Sequence, residues 1–326
     1  KVHPVGLGPY KFVEYQEGNY LAMTRFDDYY GELPEVKNIE FRKYADMSTL
    51  PLAFESGEID LLDLTRETYD TYAERDLYIH EGYSNDVRAL YFNMRDDSIF
   101  NNKDLRLAFQ YGIDKERMND SLTHGRGTIL YTHMTPFLDK YYNKDLEGIY
   151  TYDQELAKKH LEAAGYPDGL DLTLKTVAEN DIEQDMAVLI QEDMRKIGVD
   201  ITIDPIPWAT YYEEVYRGYN YDLTILDVVG YPDPSRVLSR YMSDARGNLA
   251  GFAIPEIDEL LEEARTTTDQ DGLAVENYKK VQAILAEEAL NVYLIDPGAQ
   301  TVLSERYEGY QSYPFAFIDL STVKYR

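Results

Sequence analysis

Five histidines, scattered glycines and many carboxylates are the groups in this chain that could do chemistry. The histidines are His3, His80, His124, His133 and His160. No two stand as HExxH, which would place two imidazoles on one helix face beside a general base, so a metalloprotease site has no foundation. His160 falls in a lysine-rich helical stretch and is expected at the surface. His133, in "LYTHMTP", falls in a loop, where a bystander is the simpler reading than a metal ligand. The runs "GLGPY" and "HGRGT" lack the spacing and context of a phosphate-binding loop or a dinucleotide fingerprint. No GxSxG elbow is present. With 60 acidic residues among 326, two carboxylates at any chosen spacing arise by chance, so acid pairs carry no glycosidase signal. Nothing here argues for an enzyme, and no metal or cofactor is expected.

The segment "DVVGYPDPSRVL", Asp227 to Leu238, is denser in chemistry. Two prolines, a glycine, a tyrosine and two acids crowd one turn between an apolar run and a helical stretch. The apolar run, "YDLTILDVV", reads as a buried strand. It closes a series of strands and helices that begins near Arg88. "RALYFNM" (88–94) is a strand, and Lys103 to Tyr111 a helix with Leu105, Ala108, Phe109 and Gly112 on one face. "DQELAKKHLEAAGYPDG" (153–169) carries an acidic start and a Gly-then-Pro stop. "LDLTLKTV" (170–177) alternates as a strand. A helix near 181–196 presents Ile182, Met186, Leu189, Ile190 and Met194 to one side. "VDITIDPIP" (199–207) and a helix near 208–216 follow. Two late helices, 256–266 and 273–289, lead to "NVYLIDPG". Such alternation predicts a mostly parallel sheet covered on both faces, with ligands at the carboxyl ends of its strands. The crowded turn lies at one such end.

Before Arg88 the texture is different. "YKFVEY" and "YLAMTR" flank "EGN" as a hairpin, and "VKNIEFRKY" is a third strand. "DMSTLPLAFESG" reads as a helix capped by Asp46, although Pro51 sits inside it, and "EIDLLDL" as a short buried strand.

Composition narrows the class. A net charge of −28 argues against a nucleic-acid partner, whose phosphates need Lys and Arg, and against anionic lipid surfaces. The acid excess is most simply a solvated surface. Cysteine is absent, which excludes disulfides, zinc–thiolate sites and thiol catalysis. No window holds the roughly 18 consecutive apolar residues of a membrane span. The first ten residues contain no apolar signal-peptide core. Tyrosine is abundant, at 31 residues against one tryptophan, Trp208, and it suits wet pockets as well as core edges.

Read together, several stretches resemble the family 5 extracellular solute-binding proteins of ABC importers. "GLGPYKFVEYQEGNYLAMTRFDDYYG" is similar to the family's GTGPY entry, hairpin and RNPDYWG segment. "LAFESGEIDLLDL" resembles its short helix and SGEID strand. "LYFNMRDDSIFNNKDLRLAFQYGIDKERM" resembles its FN…PF…D.R.A..YAID block, and "DQELAKKHLEAAGYPDG" its LL.EAGY helix. "DVVGYPDP" is similar to its DYPDP turn, and "GFAIPEIDELLEEARTTTD" to the segment beyond. Order and rough spacing agree over nearly the whole chain.

The resemblance implies an α/β fold of the type II periplasmic-binding-protein kind, with two lobes that close on ligand by hinge motion. In the family the GTGPY entry lies well inside the chain, whereas here it begins at Gly6. The resemblance is therefore to a C-terminal portion, without the first strands of lobe one and the inserted domain. Residues 1–87 and 292–326 then correspond to a remnant of lobe one, and 88–291 to lobe two, with hinge candidates near 87–90 and 292–295. Gly8, Pro9, Gly57 and Gly165 serve turns and helix ends.

The implied function is a monomeric extracytoplasmic receptor, periplasmic or lipid-anchored, with an ABC importer's membrane subunits as partners. Its implied ligand is an oligopeptide, with a sugar or metal chelate as alternatives; a ligand-sensing domain of a regulatory protein is the rival from another class. The candidate ligand residues are Asn93, Trp208, Asp227, Val229, Gly230, Tyr231 and Asp233. Asn93 could bond ligand or tie down backbone, and Trp208 could be a core anchor or a pocket wall. In peptide-binding relatives an aspartate just before the Tyr-Pro pair meets the ligand's ammonium, and this sequence has Gly230 there. Three explanations stay open: Asp227 does that job, the ligand lacks a free amino terminus, or the register differs by a few residues.

Overall fold

The computed structural model describes residues 4–315 and 318–326; His3 lies outside the described residues. The chain forms two units, Lys1–Ser84 with Ala299–Arg326, and Asn85–Gly298.

In the first unit, strands β1 (Tyr10–Gln16), β2 (Tyr20–Arg25) and β3 (Asn38–Arg42) form an antiparallel sheet. The Asp46 carboxylate accepts from Ser48 N ahead of helix α1 (Leu50–Glu55), where Pro51 occupies the first turn, the one place its missing N–H costs nothing. The helix ends at Gly57, whose φ of +73° favours glycine. Strand β4 (Leu61–Asp63), helix α2 (Arg66–Ala73) and strand β5 (Tyr78–Gly82) complete this stretch. Its core is modest, with Phe54, Leu62, Leu64 and Tyr72 buried together with Val302.

The second unit opens with β6 (Asp86–Phe92), followed by α3 (Lys103–Gly112) and α4 (Lys115–Thr123). Then come β7 (Thr128–Ile129), α5 (Gln154–Ala163), β8 (Leu170–Val177), α6 (Asp181–Arg195) and β9 (Val199–Ile206). A short helix α7 (Trp208–Tyr211) runs into a π-helical turn over Tyr212–Arg217, where one α-helix was expected. Strand β10 (Leu223–Val229), helices α8 (Pro234–Leu238), α9 (Pro255–Thr266) and α10 (Leu273–Glu287), and strands β11 (Asn291–Tyr293) and β12 (Ile295–Asp296) finish it. The chain then returns to the first unit, where β13 (Ala299–Leu303) pairs between β4 and β5. Side-chain caps start helices α3 to α6: Asn102, Asp114, Asp153 and Asn180 each accept a backbone N–H of the first turn.

The main sheet runs β11-β6-β10-β8-β9. Strands β8, β9 and β10 are parallel; β6 is antiparallel to both of its neighbours, β10 and β11, so β11 points the same way as β10. The mostly parallel expectation thus holds for four of the five strands, with β6 as the exception. Periodicity identifies a strand but not its direction, and β6 meets β10 from elsewhere in the chain. One face carries the larger core, where Phe92, Phe100 and Phe109 meet with ring centroids 5.0–5.9 Å apart. The other face carries Val87, Ala89, Tyr91, Leu226, Val228 and Tyr293. Strand alternation therefore sends Asp86, Arg88 and Asp227 to the larger-core face.

Candidate functional site

The parallel strands β8, β9 and β10 present their carboxyl ends at one edge, where Asn180, Trp208 and Gly230 begin the following segments. Open α/β sheets bind ligands at this kind of edge.

The turn after β10 is held from below. Gly230 N donates to the Asn85 carbonyl at 2.6 Å, and the Thr135 hydroxyl donates to Asn85 Oδ1 at 2.6 Å. Asn85 has a φ of 55°, a conformation its short amide tolerates, and its N–H donates to Asp296 Oδ2 at 2.9 Å. A Cβ built on Gly230 would overlap the Asn85 side-chain amide. Glycine is thus required by close approach, and an aspartate cannot occupy this place without displacing Asn85. Downstream, Asp233 accepts from Ser235 N at 2.9 Å and caps α8. Val229 and Tyr231 face solvent, with the Arg236 guanidinium 3.7 Å from the Tyr231 ring centroid.

Asp227 belongs to a charged cluster at the end of the larger-core face. Antiparallel register sets it opposite Arg88, whose Nη2 lies 3.9 Å from Asp227 Oδ2 and donates to Asp86 Oδ2 at 2.9 Å. Glu183, in the first turn of α6, accepts from Val177 N at 3.3 Å and from the Asn180 amide at 2.9 Å. Burial, reinforced by the Asp227 charge, pushes the Glu183 carboxyl up to about 7. Burial also pushes Asp86 up to about 6, against the pull of Arg88. Three carboxylates around one guanidinium give this edge a negative balance.

Trp208 is 51 % exposed and so is not a core anchor. It stacks on Tyr211 (5.9 Å, 18°) and lies 6.0 Å from Tyr216. The Tyr211 hydroxyl, 2.6 Å from Thr224 Oγ1, ties this aromatic row to β10. Asn93 stands at the other end of the β6–β10 pairing, roughly 20 Å from Gly230 at ordinary strand rise. Its amide donates to the carbonyls of Tyr219 and Tyr221, and its oxygen accepts from Arg95 N. The structure thus gathers Trp208, Asp227, Val229, Gly230, Tyr231 and Asp233 at one edge and leaves Asn93 apart. Sequence reasoning missed Asn85, Asp86, Arg88 and Glu183. Charges interrupting the apolar strands "DVRALYF" and "LTILDVV" were the available signal.

His133 and His160 make structural contacts. His133 is fully buried with Nδ1 2.6 Å from the Tyr241 hydroxyl. His160, expected at the surface, is partly buried, stacked on Tyr111 and 2.8 Å from Asp104. Among the described residues no group of three or more His, Cys, Asp or Glu could hold a metal ion. No described helix is long and apolar enough to cross a membrane.

The profile of the bacterial extracellular solute-binding proteins, family 5, matches residues 1–248. The chain belongs to this family. Among the curated members it resembles, the oligopeptide-binding protein AppA of Bacillus subtilis is 24 % identical over 95 % of this chain and 60 % of its own length. The heme-binding protein A of Haemophilus influenzae is 28 % identical over 96 % and 58 %. The solved ABC transporter substrate-binding protein CtaP of Listeria monocytogenes superposes with a TM-score of 0.90 at 25 % identity, over 99 % of this chain and 67 % of CtaP. The fold is that of the periplasmic binding proteins, and the chain spans about 60 % of the length of its first curated relatives.

Proposed function

We propose that this family 5 chain is the ligand-binding part of an extracytoplasmic receptor that captures a solute and delivers it to the membrane subunits of an ABC importer, without chemistry of its own. The observation that carries the reading is the carboxyl edge of β8, β9 and β10, where the exposed Trp208 ring on its buried tyrosine support, the Val229–Tyr231 turn and a carboxylate cluster converge in a chain of this family. An oligopeptide is the first ligand class, as the likeness to an oligopeptide-binding protein supports. The site is periplasmic or lipid-anchored, and the receptor is a monomer.

A second reading has an observation of its own. Asn85 closes the space above Gly230, so the edge has no aspartate there for a peptide's amino terminus. A ligand without a free amino terminus, such as a sugar, a blocked peptide or a metal chelate, fits this better, and one relative is named for heme binding. Trp208 is the only tryptophan, so its fluorescence reports on this edge directly. Titration with peptide, sugar and nickel-chelate sets, read by Trp208 emission and thermal shift, decides between the readings. Saturable binding of a free peptide supports the first; a response to sugars or chelates with silence to every peptide refutes it.

A further inference from the structure

On the sheet face opposite the carboxylate cluster lies a buried polar nest that the receptor reading leaves unused. Arg240 sits in the 3-10 turn Ser239–Tyr241 just beyond α8. Arg106, a buried arginine of the same unit, shows what a structural guanidinium looks like. Arg106 donates to the carbonyls of Phe100, Asn101 and Glu288 and is satisfied by them. Arg240 makes no ion pair among the described residues, and its Nε is buried without a hydrogen-bond partner. The groups that act on it are the hydroxyls of Tyr91, Tyr216 and Tyr241, not a carboxylate. Arg240 is itself only partly buried, but its Nε is cut off from water with no counter-charge beside it, so a partner from outside the chain is the natural complement.

The surroundings are rich in donors. The Tyr91 hydroxyl, Thr132 Oγ1 and His133 Nε2 are buried and unpartnered, in residues no more than 2 % exposed. The Tyr241 hydroxyl accepts from Asn291 Nδ2 and from the Tyr293 hydroxyl, each at 3.1 Å. Its own proton is therefore directed at His133 Nδ1, 2.6 Å away. That places the imidazole proton on Nε2 and makes the unpartnered nitrogen a donor. A positive fork ringed by hydroxyl and imidazole donors is the complement of an oxyanion, which accepts several hydrogen bonds and donates none.

We propose that Arg240, with Tyr91 and His133 beside it, forms an anion subsite that accepts a carboxylate or phosphate group. The site is distinct from the carboxylate-lined edge at Asp227 and stands whether or not the transport reading holds.

The test uses the purified chain at constant ionic strength, with sodium succinate and inorganic phosphate as probes and sodium chloride as the reference. Thermal shift and calorimetry should show saturable stabilisation by at least one of the two oxyanions. Phosphate alone marks the site as phosphate-type, and succinate alone as carboxylate-type; each supports the proposal. The oxyanion response should vanish in Arg240→Met and weaken roughly tenfold or more in Arg240→Lys, which keeps the charge but loses the planar fork. Tyr91→Phe, which removes one hydroxyl and no charge, should weaken it a few-fold and carries the test if the arginine variants do not fold. Arg246→Met, at an exposed position, should respond like the parent. An equal response in Arg240→Met and parent, or no response to either oxyanion in the parent, overturns the proposal.

Discussion

The two faces of the main sheet carry polar clusters of opposite character. Under the start of α6, Asp86, Asp227 and Glu183 surround Arg88, and the acids outnumber the base. On the other face, Arg240 lies among tyrosine hydroxyls and the neutral His133. Both clusters interrupt apolar surface, and both come from strands β6 and β10 or from segments packed on them. The difference teaches that one sheet can hold two charge environments a strand's thickness apart, because alternation sends neighbouring residues to opposite faces. Arg88 and Tyr91 on β6, and Asp227 and Val228 on β10, are divided in this way.

The largest expected effect is at Arg88. Arg88→Met removes the sole cation among three carboxylates and should cost about 3–5 kcal/mol in urea unfolding at pH 8. At pH 5 the loss should be smaller, because Asp86 and Glu183 then hold protons. An equal loss at both pH values would show that the cluster is not electrostatically coupled.

Next comes pH itself. Glu183 binds a proton more tightly folded than unfolded, so its contribution is present below pH 4.5 and is lost as pH rises through about 7. His133 has the opposite sign. Burial holds its pKa well below 6.5, so the unfolded chain binds the extra proton and stability falls as pH drops below that value. Glu183→Gln should therefore flatten the fall between pH 5 and 8 by about 2–3 kcal/mol, while His133→Gln should flatten only the acid limb. If both variants changed the same limb, the contrast between the faces would be wrong.

The smallest effect is expected where the faces meet, at the turn after β10. Gly230→Ala should cost roughly 1–3 kcal/mol by overlap with the Asn85 amide. Asn85→Gly keeps the positive φ and removes the obstacle, so the double variant should cost less than the sum of the two single changes. Additive costs in a double-mutant cycle would show that Asn85 is not what requires the glycine.

Much of this was legible without coordinates. Helical spacing of Leu105, Ala108, Phe109 and Gly112 delivered α3, and the buried face holds all four. The order of motifs indicated the family. The pairing of β6 with β10 was not legible, because residues 86–92 and 223–229 are distant in sequence and nothing local marks them as partners. For the same reason the Arg88–Asp227 contact, the crowding of Asn85 on Gly230 and the Arg240 nest could not be foreseen.

By itself, the sequence determined what depends on local chemistry: which segments are strands and helices, where caps and turns fall, and which reactions lack their residues. Tertiary structure alone decided strand direction, which charges share a face and why Gly230 has no room for a side chain. Those outcomes depend on close approach between residues distant in sequence, and on burial, which turns an ordinary carboxylate or guanidinium into a group that must find a partner.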